Sequence, residues 1–166
     1  VGDISDDFTT LITPAGYAFS IWGLIYLALI AYLIYQWIGY YKNQNDLSLT
    51  PSGIWFIVAN LSNALWIYVW VNEQILLSVV VILVLLFSLI QLVIRLRLET
   101  YDAPLKTIFF VWWPICLYTG WVILATVLTL SVGIKNTGIL DDIWTETGWA
   151  ALVIIVATSI YALLTY

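Results

Sequence analysis

Histidine is absent from the 166 residues, and with it the commonest metal ligand, the commonest general base and any His-ligated haem iron. Cysteine occurs once, at Cys116, so no internal disulfide forms; inside an apolar run it reads as a small core hydrophobe. Charge is scarce as well, at 9% of residues against about 25% in a soluble domain. Only five bases are present and they form no basic patch, which argues against nucleic acid as a partner. No Asp, Glu, Lys or Arg falls inside the long apolar runs. Proton relays, voltage sensors and ion pathways are marked by such residues, so a pump or a carrier of charged substrates is disfavoured. The serines in those runs have no histidine or lysine at the same depth to activate them. The chain is therefore read as a non-enzyme.

Apolar residues fill the space that these absences leave, at 63% of the chain. A span of the bilayer needs about 20 of them in succession. Five segments qualify: helix A over 17–38, B over 53–71, C over 75–94, D over 108–131 and E over 149–166. The expected fold is thus an all-α integral membrane protein, a five-transmembrane-helix bundle forming a single transmembrane domain over 1–166. Thr50-Pro51-Ser52-Gly53 punctuates the start of B, with Thr50 as N-cap and Pro51 at the first position. Asp102-Ala103-Pro104 does the same for D. Asn72-Glu73-Gln74 leaves room for only a tight turn, which makes B and C antiparallel neighbours.

Loop charge sets the expected orientation. Lys42 lies between A and B, and Arg95, Arg97 and Lys106 lie between C and D. These loops share a face and hold four of the five bases, which places that face in the cytoplasm. Asp3, Asp6 and Asp7 lie on the opposite side, so Val1 is expected outside and Tyr166 at the cytoplasmic face. Trp37, Tyr40 and Tyr41 at the end of A, and Trp144 and Trp149 at the start of E, suit the interfacial aromatic belts. The start at Val1 and the stop at Tyr166 within an apolar run suggest a trimmed or processed chain.

The remaining aromatics cluster with amides. On helix B, Asn60, Asn63, Trp66 and Trp70 recur at spacings that place them on one face. A carboxamide in hydrocarbon needs partners, so these two face protein or ligand. Glue between helices explains each Asn on its own; orientation of a bound polar group is the functional alternative. Helix A carries the small residues Gly16, Ser20 and Gly23 along a face suited to close helix approach, with Trp22 and Tyr26 beside it. Helix D carries Trp112, Trp113, Pro114, Gly120 and Trp121, where Pro114 implies a kink and Gly120 leaves room for the neighbouring indole to tilt. Helix C, mostly Val, Leu and Ile, reads as a lipid-facing wall; helix E resembles it, with Ala157, Thr158 and Ser159 as one small contact patch.

Three motifs resemble a known family. Thr13-Pro14-Ala15-Gly16 followed by Phe19-Ser20-Ile21-Trp22-Gly23-Leu24-Ile25-Tyr26, then Asn63-Ala64-Leu65-Trp66, then Trp121-Val122-Ile123-Leu124-Ala125-Thr126 are similar to the loop-and-helix signatures of the tryptophan-rich sensory protein / translocator protein (TspO/MBR) family, in the same order. The resemblance implies a receptor or binding protein for a flat apolar ligand such as a porphyrin (tetrapyrrole) or sterol-like molecule, with no covalent cofactor. It implies a pocket lined by Trp22, Tyr26, Asn60, Asn63, Trp66, Trp121 and Ala125. It also implies a bacterial inner membrane or an organellar outer membrane, of which the bacterial inner (cytoplasmic) membrane is the expectation taken here. The chain departs from the family where a Trp before a Pro-Pro pair normally stands, since Leu11-Ile12-Thr13-Pro14-Ala15 keeps one Pro and no Trp. The family's first helix has no counterpart before Thr13, and helix E follows its last, which suggests truncation or a divergent branch. Beside the bilayer and the ligand, a homodimer or a larger membrane complex is an expected partner. A structural or accessory subunit of such a complex, or a transporter of a neutral small molecule, is the alternative function.

Overall fold

The computed structural model describes residues 16–42 and 49–137, together with 148, 151, 155, 158 and 159. A 3-10 turn over Gly16–Ser20 leads into α1 (Ile21–Tyr41). Then come α2 (Leu49–Val71), α3 (Ile75–Arg95), a first turn α4 (Leu105–Thr107), a π-helical segment (Ile108–Trp112) and α5 (Trp113–Thr137). Every regular element among the described residues is helical. Among the described residues, four stretches are long and apolar enough to cross a membrane: Tyr17–Tyr41, Ser52–Val71, Ile75–Arg95 and Leu105–Ile134. They answer to helices A, B, C and D. Helix E lies outside the described residues except at a few positions, where Thr158 and Ser159 are exposed. Trp144 and Trp149 lie outside them too.

The helix ends follow local chemistry. At the end of α2, the amide of Gln74 donates to the carbonyl of Val69 and that of Glu73 to Trp70, with Glu73 at φ 56°. This left-handed closure turns the chain back into α3 within three residues. The same pattern ends α3, with Leu98 donating to Val93, Arg97 to Ile94, and Arg97 at φ 51°. Helix α2 starts earlier than its sequence punctuation implies, because helical turns precede a break at Gly53 (φ 43°, ψ −137°). That backbone conformation is open to glycine and strained for other residues.

The fourth span is 30 residues long, roughly 45 Å if straight, against a hydrocarbon core of about 30 Å. After one α-helical turn, five residues, Ile108–Trp112, are wound as a π-helix that ends two residues before Pro114. Proline has no amide to donate back to the preceding turn, so the wider winding falls where the regular bond is lost. The irregularity expected at Pro114 therefore sits on its N-terminal side.

Helix α3 packs closely against both α2 and α5, while α1 approaches α5 and the π-helical segment. The lipid-facing wall expected of helix C is thus corrected. Ile75, Ser78, Val81, Ile82, Leu85, Ser88, Leu89 and Leu92 form a buried stripe along it. A Cβ on Gly133 of α5 would come within 2.8 Å of Val79 Cγ2 on α3, so glycine sets that close approach. The small face expected on helix A is also corrected. Ser20 and Gly23 are exposed, and nothing lies within 4 Å of a Cβ built on Gly23. Side chains join α1 to α2 instead. Gln36 donates to the Tyr32 hydroxyl at 2.7 Å and to Ser52 Oγ at 3.2 Å, and the rings of Tyr32 and Phe56 lie 5.0 Å apart.

Candidate functional site: an aromatic cluster beside an open groove

Trp22 is the hub of the site. Its ring stacks on Tyr26 at 5.7 Å, tilts against Trp66 at 6.1 Å, and meets Tyr118 and Trp121 edge-on at 6.3 and 6.2 Å. Phe19 closes on Trp121 at 6.2 Å, and Trp70 stacks on Trp66 at 5.9 Å. Offset and edge-to-face pairs of this kind each add about 0.5–1.5 kcal/mol beyond area burial. The indoles of three spans do converge. They also pack against one another, through the ring pairs that centre on Trp22.

Helical spacing explains the convergence. Trp22 and Tyr26 are one turn apart on α1, Asn63, Trp66 and Trp70 follow one stripe of α2, and Tyr118 and Trp121 share a stripe of α5. Trp22, Asn63, Trp66, Trp70, Tyr118 and Trp121 are all buried. Asn63 Nδ2 donates to the Tyr26 hydroxyl at 3.2 Å and ties α2 to α1. Its other end, Oδ1, is buried with no partner among the described residues. The indole nitrogens of Trp22, Trp66, Trp70 and Trp121 and the hydroxyl of Tyr118 are likewise buried and have no partner among the described residues. Each such group carries a desolvation penalty of about 1–3 kcal/mol. Trp55 and Trp112, nearer the basic end of the bundle, share this condition.

The other two residues named from sequence sit at the margin. Asn60 Nδ2 donates to the Phe56 carbonyl of its own helix at 2.8 Å. Ala125, one turn beyond Trp121, packs half-buried against the core.

Open volume lies on the far side of Trp121. A groove of about 1050 Å³ runs between α1 and the fourth span. Ile21, Leu24, Ala28 and Ala31 form one wall, and Phe109, Phe110, Trp113, Leu117, Gly120, Trp121 and Leu124 stand opposite. Gly120 leaves the wall open beside Trp121, as no atom lies within 4 Å of a Cβ placed there. Cys116 also lines the groove and is exposed, which corrects its reading as a core residue. Sequence reasoning passed over Phe19 and Tyr118. Phe19 lies within the first motif and Tyr118 lies one turn before Trp121, so motif and spacing together were the available signal. The groove had no such signal, since it arises from the separation of two helices.

Among the described residues, no group of three or more Cys, Asp or Glu is placed to hold a metal ion. The chemistry on offer is stacking, edge contacts and donation of indole hydrogens. No curated protein and no solved structure matches the chain. The TSPO-like protein family matches residues 1–166. A membrane-embedded bundle that carries these motifs and matches from end to end leaves one assignment: the chain belongs to the TSPO-like protein family.

Proposed function

We propose that this chain is a membrane binding protein for a flat apolar ligand that bears hydrogen-bond acceptors, a porphyrin or a molecule of similar shape. The ligand lies against the cluster of Trp22, Tyr26, Asn63, Trp66 and Trp121, and binding requires no chemical transformation. One observation carries the reading: Trp121 belongs both to the cluster of unpartnered indoles and to the wall of the open groove. A flat molecule entering along the groove meets Trp121 first. A small rotation of that ring opens the cluster, and acceptor atoms on the ligand then take up the indole hydrogens. The gain is largest where those donors had no partner before. A porphyrin, with its ring nitrogens and carboxylates, suits this donor set better than a sterol with one hydroxyl.

The proposed orientation puts Lys42, Arg95, Arg97 and Lys106 in the cytoplasm of a bacterial cell, by the basic-loop rule. The hydrogen bond from Gln36 to Ser52 supports it, since it holds the end of α1 beside the start of α2 and so brings Lys42 to the end that carries Arg95.

Quenching of tryptophan fluorescence by protoporphyrin tests the site. Trp121→Phe with Asn63→Ala is expected to weaken quenching affinity about tenfold or more, while Trp37→Phe at the exposed belt leaves it unchanged. Unchanged affinity in the double variant would remove the cluster from the binding site.

A further inference from the structure

The groove has two unlike ends. One is the Trp121 end described above. About four helical turns away, roughly 22 Å along the axis, stand Leu105 and Lys106, with Phe109, Phe110 and Trp113 beside them. Lys106 is the single charged residue of the lining; it is exposed and makes no ion pair among the described residues. The rest of this end is hydrocarbon and aromatic ring. Phe110 is fixed by stacking on Tyr35 of α1 at 5.5 Å, and Trp113 is braced by Phe109 at 4.4 Å. Ala28 and Ala31 on α1 keep the opposite wall low.

The groove also opens sideways. Leu24, Phe109 and Trp113, all of its lining, are 57%, 49% and 58% exposed. In a bundle of membrane spans that side faces acyl chains, so its occupant comes from the bilayer. Lys106 shares its end of the bundle with Lys42, Arg95 and Arg97, the level of the headgroups, while Ala28 lies deeper. A cation at the headgroup level with an apolar channel running inward has the polarity of one lipid molecule standing in its own leaflet.

We propose that this end of the groove binds one anionic membrane phospholipid. Its phosphate pairs with the Lys106 ammonium, and one acyl chain lies along Ala28 and Ala31 between the rings of Phe110 and Trp113. Selectivity for an anionic head follows from the lone cation. A zwitterionic head brings its own positive group toward Lys106 and gains less. The site stands apart from the flat-ligand reading, because it uses the opposite end of the groove and none of the cluster residues.

Native mass spectrometry of the full chain in detergent, titrated with phosphatidylglycerol and phosphatidylcholine of matched acyl chains, tests the proposal. One phosphatidylglycerol per chain is expected to be retained about fivefold better than phosphatidylcholine, the worth of one lysine at an anionic surface. Lys106→Gln is expected to abolish that preference. Arg97→Gln, which removes a cation outside the groove, is expected to keep it, and Ala31→Trp to weaken retention of both lipids by filling the channel. Equal retention of the two lipids by the unaltered chain overturns the proposal. So does a preference that survives Lys106→Gln, or one that Arg97→Gln removes equally well. These readings use no porphyrin, so they stand or fall separately from the quenching experiment.

Discussion

Two halves of the bundle treat buried polar groups in opposite ways. In the aliphatic seam of α3 and α5, serine and threonine hydroxyls close on their own helix. Ser78 donates to the carbonyl of Ile75, Ser88 to Val84, Thr119 to Ile115, Thr126 to Val122 and Thr129 to Ala125. Around Trp22, the indole nitrogens, the Tyr118 hydroxyl and Asn63 Oδ1 have no hydrogen-bond partner among the described residues. The serines and threonines of the seam meet their polar needs within their own helices. The aromatic cluster keeps its donors uncommitted in an environment where water cannot satisfy them. The proposed binding site rests on this difference.

This comparison makes ordered predictions. The largest effect on stability is expected in the seam. Leu85→Ala, at a fully buried position, should destabilise the protein by about 2–5 kcal/mol in thermal or denaturant unfolding in detergent, with porphyrin affinity retained in the folded fraction. Gly133→Leu should cost about 1–3 kcal/mol through its collision with Val79, and Val79→Ala should restore part of the loss. In the cluster the pattern should invert. Trp66→Phe removes a nitrogen with no partner among the described residues, which offsets part of the cost of shrinking a buried ring, so it should destabilise by about 1–2 kcal/mol while weakening porphyrin binding roughly five- to tenfold. The smallest effect belongs to Ser88→Ala, expected within about 0.5 kcal/mol of zero in unfolding, since a bond back to the preceding turn adds little to a helix. A cluster variant that destabilises as much as Leu85→Ala without touching affinity would erase the distinction.

The four spans among the described residues were legible in the sequence as helices A to D, because about twenty apolar residues without charge favour a spanning helix. Helix C was placed correctly over 75–94, against Ile75–Arg95 in the structure, but its role was misjudged. Val, Leu and Ile surround it on all sides, so hydropathy offers no contrast between lipid and protein. The signal was finer: Ser78 and Ser88 both sit on the stripe that is buried. The convergence of Trp22, Asn63, Trp66 and Trp121 was legible from motif and helical spacing, since a shared stripe survives any reasonable packing. The direction of Asn60 was not, because an amide on a helix can bond the carbonyl one turn back as readily as a neighbour. Nor was the ring-on-ring packing around Trp22, because it depends on helix separations of an ångström or two, which no residue pattern encodes.

The claim beneath all of this is that the unpartnered indoles of the cluster are donors waiting for a ligand. Its most direct test is a titration of the 15N-labelled protein with protoporphyrin, following the indole N–H resonances by NMR. The account predicts that the signals of Trp22, Trp66 and Trp121 move together as the porphyrin saturates, while that of Trp37 at the membrane interface stays fixed. If the porphyrin binds and those three signals remain where they were, the cluster is ordinary packing and the ligand sits elsewhere.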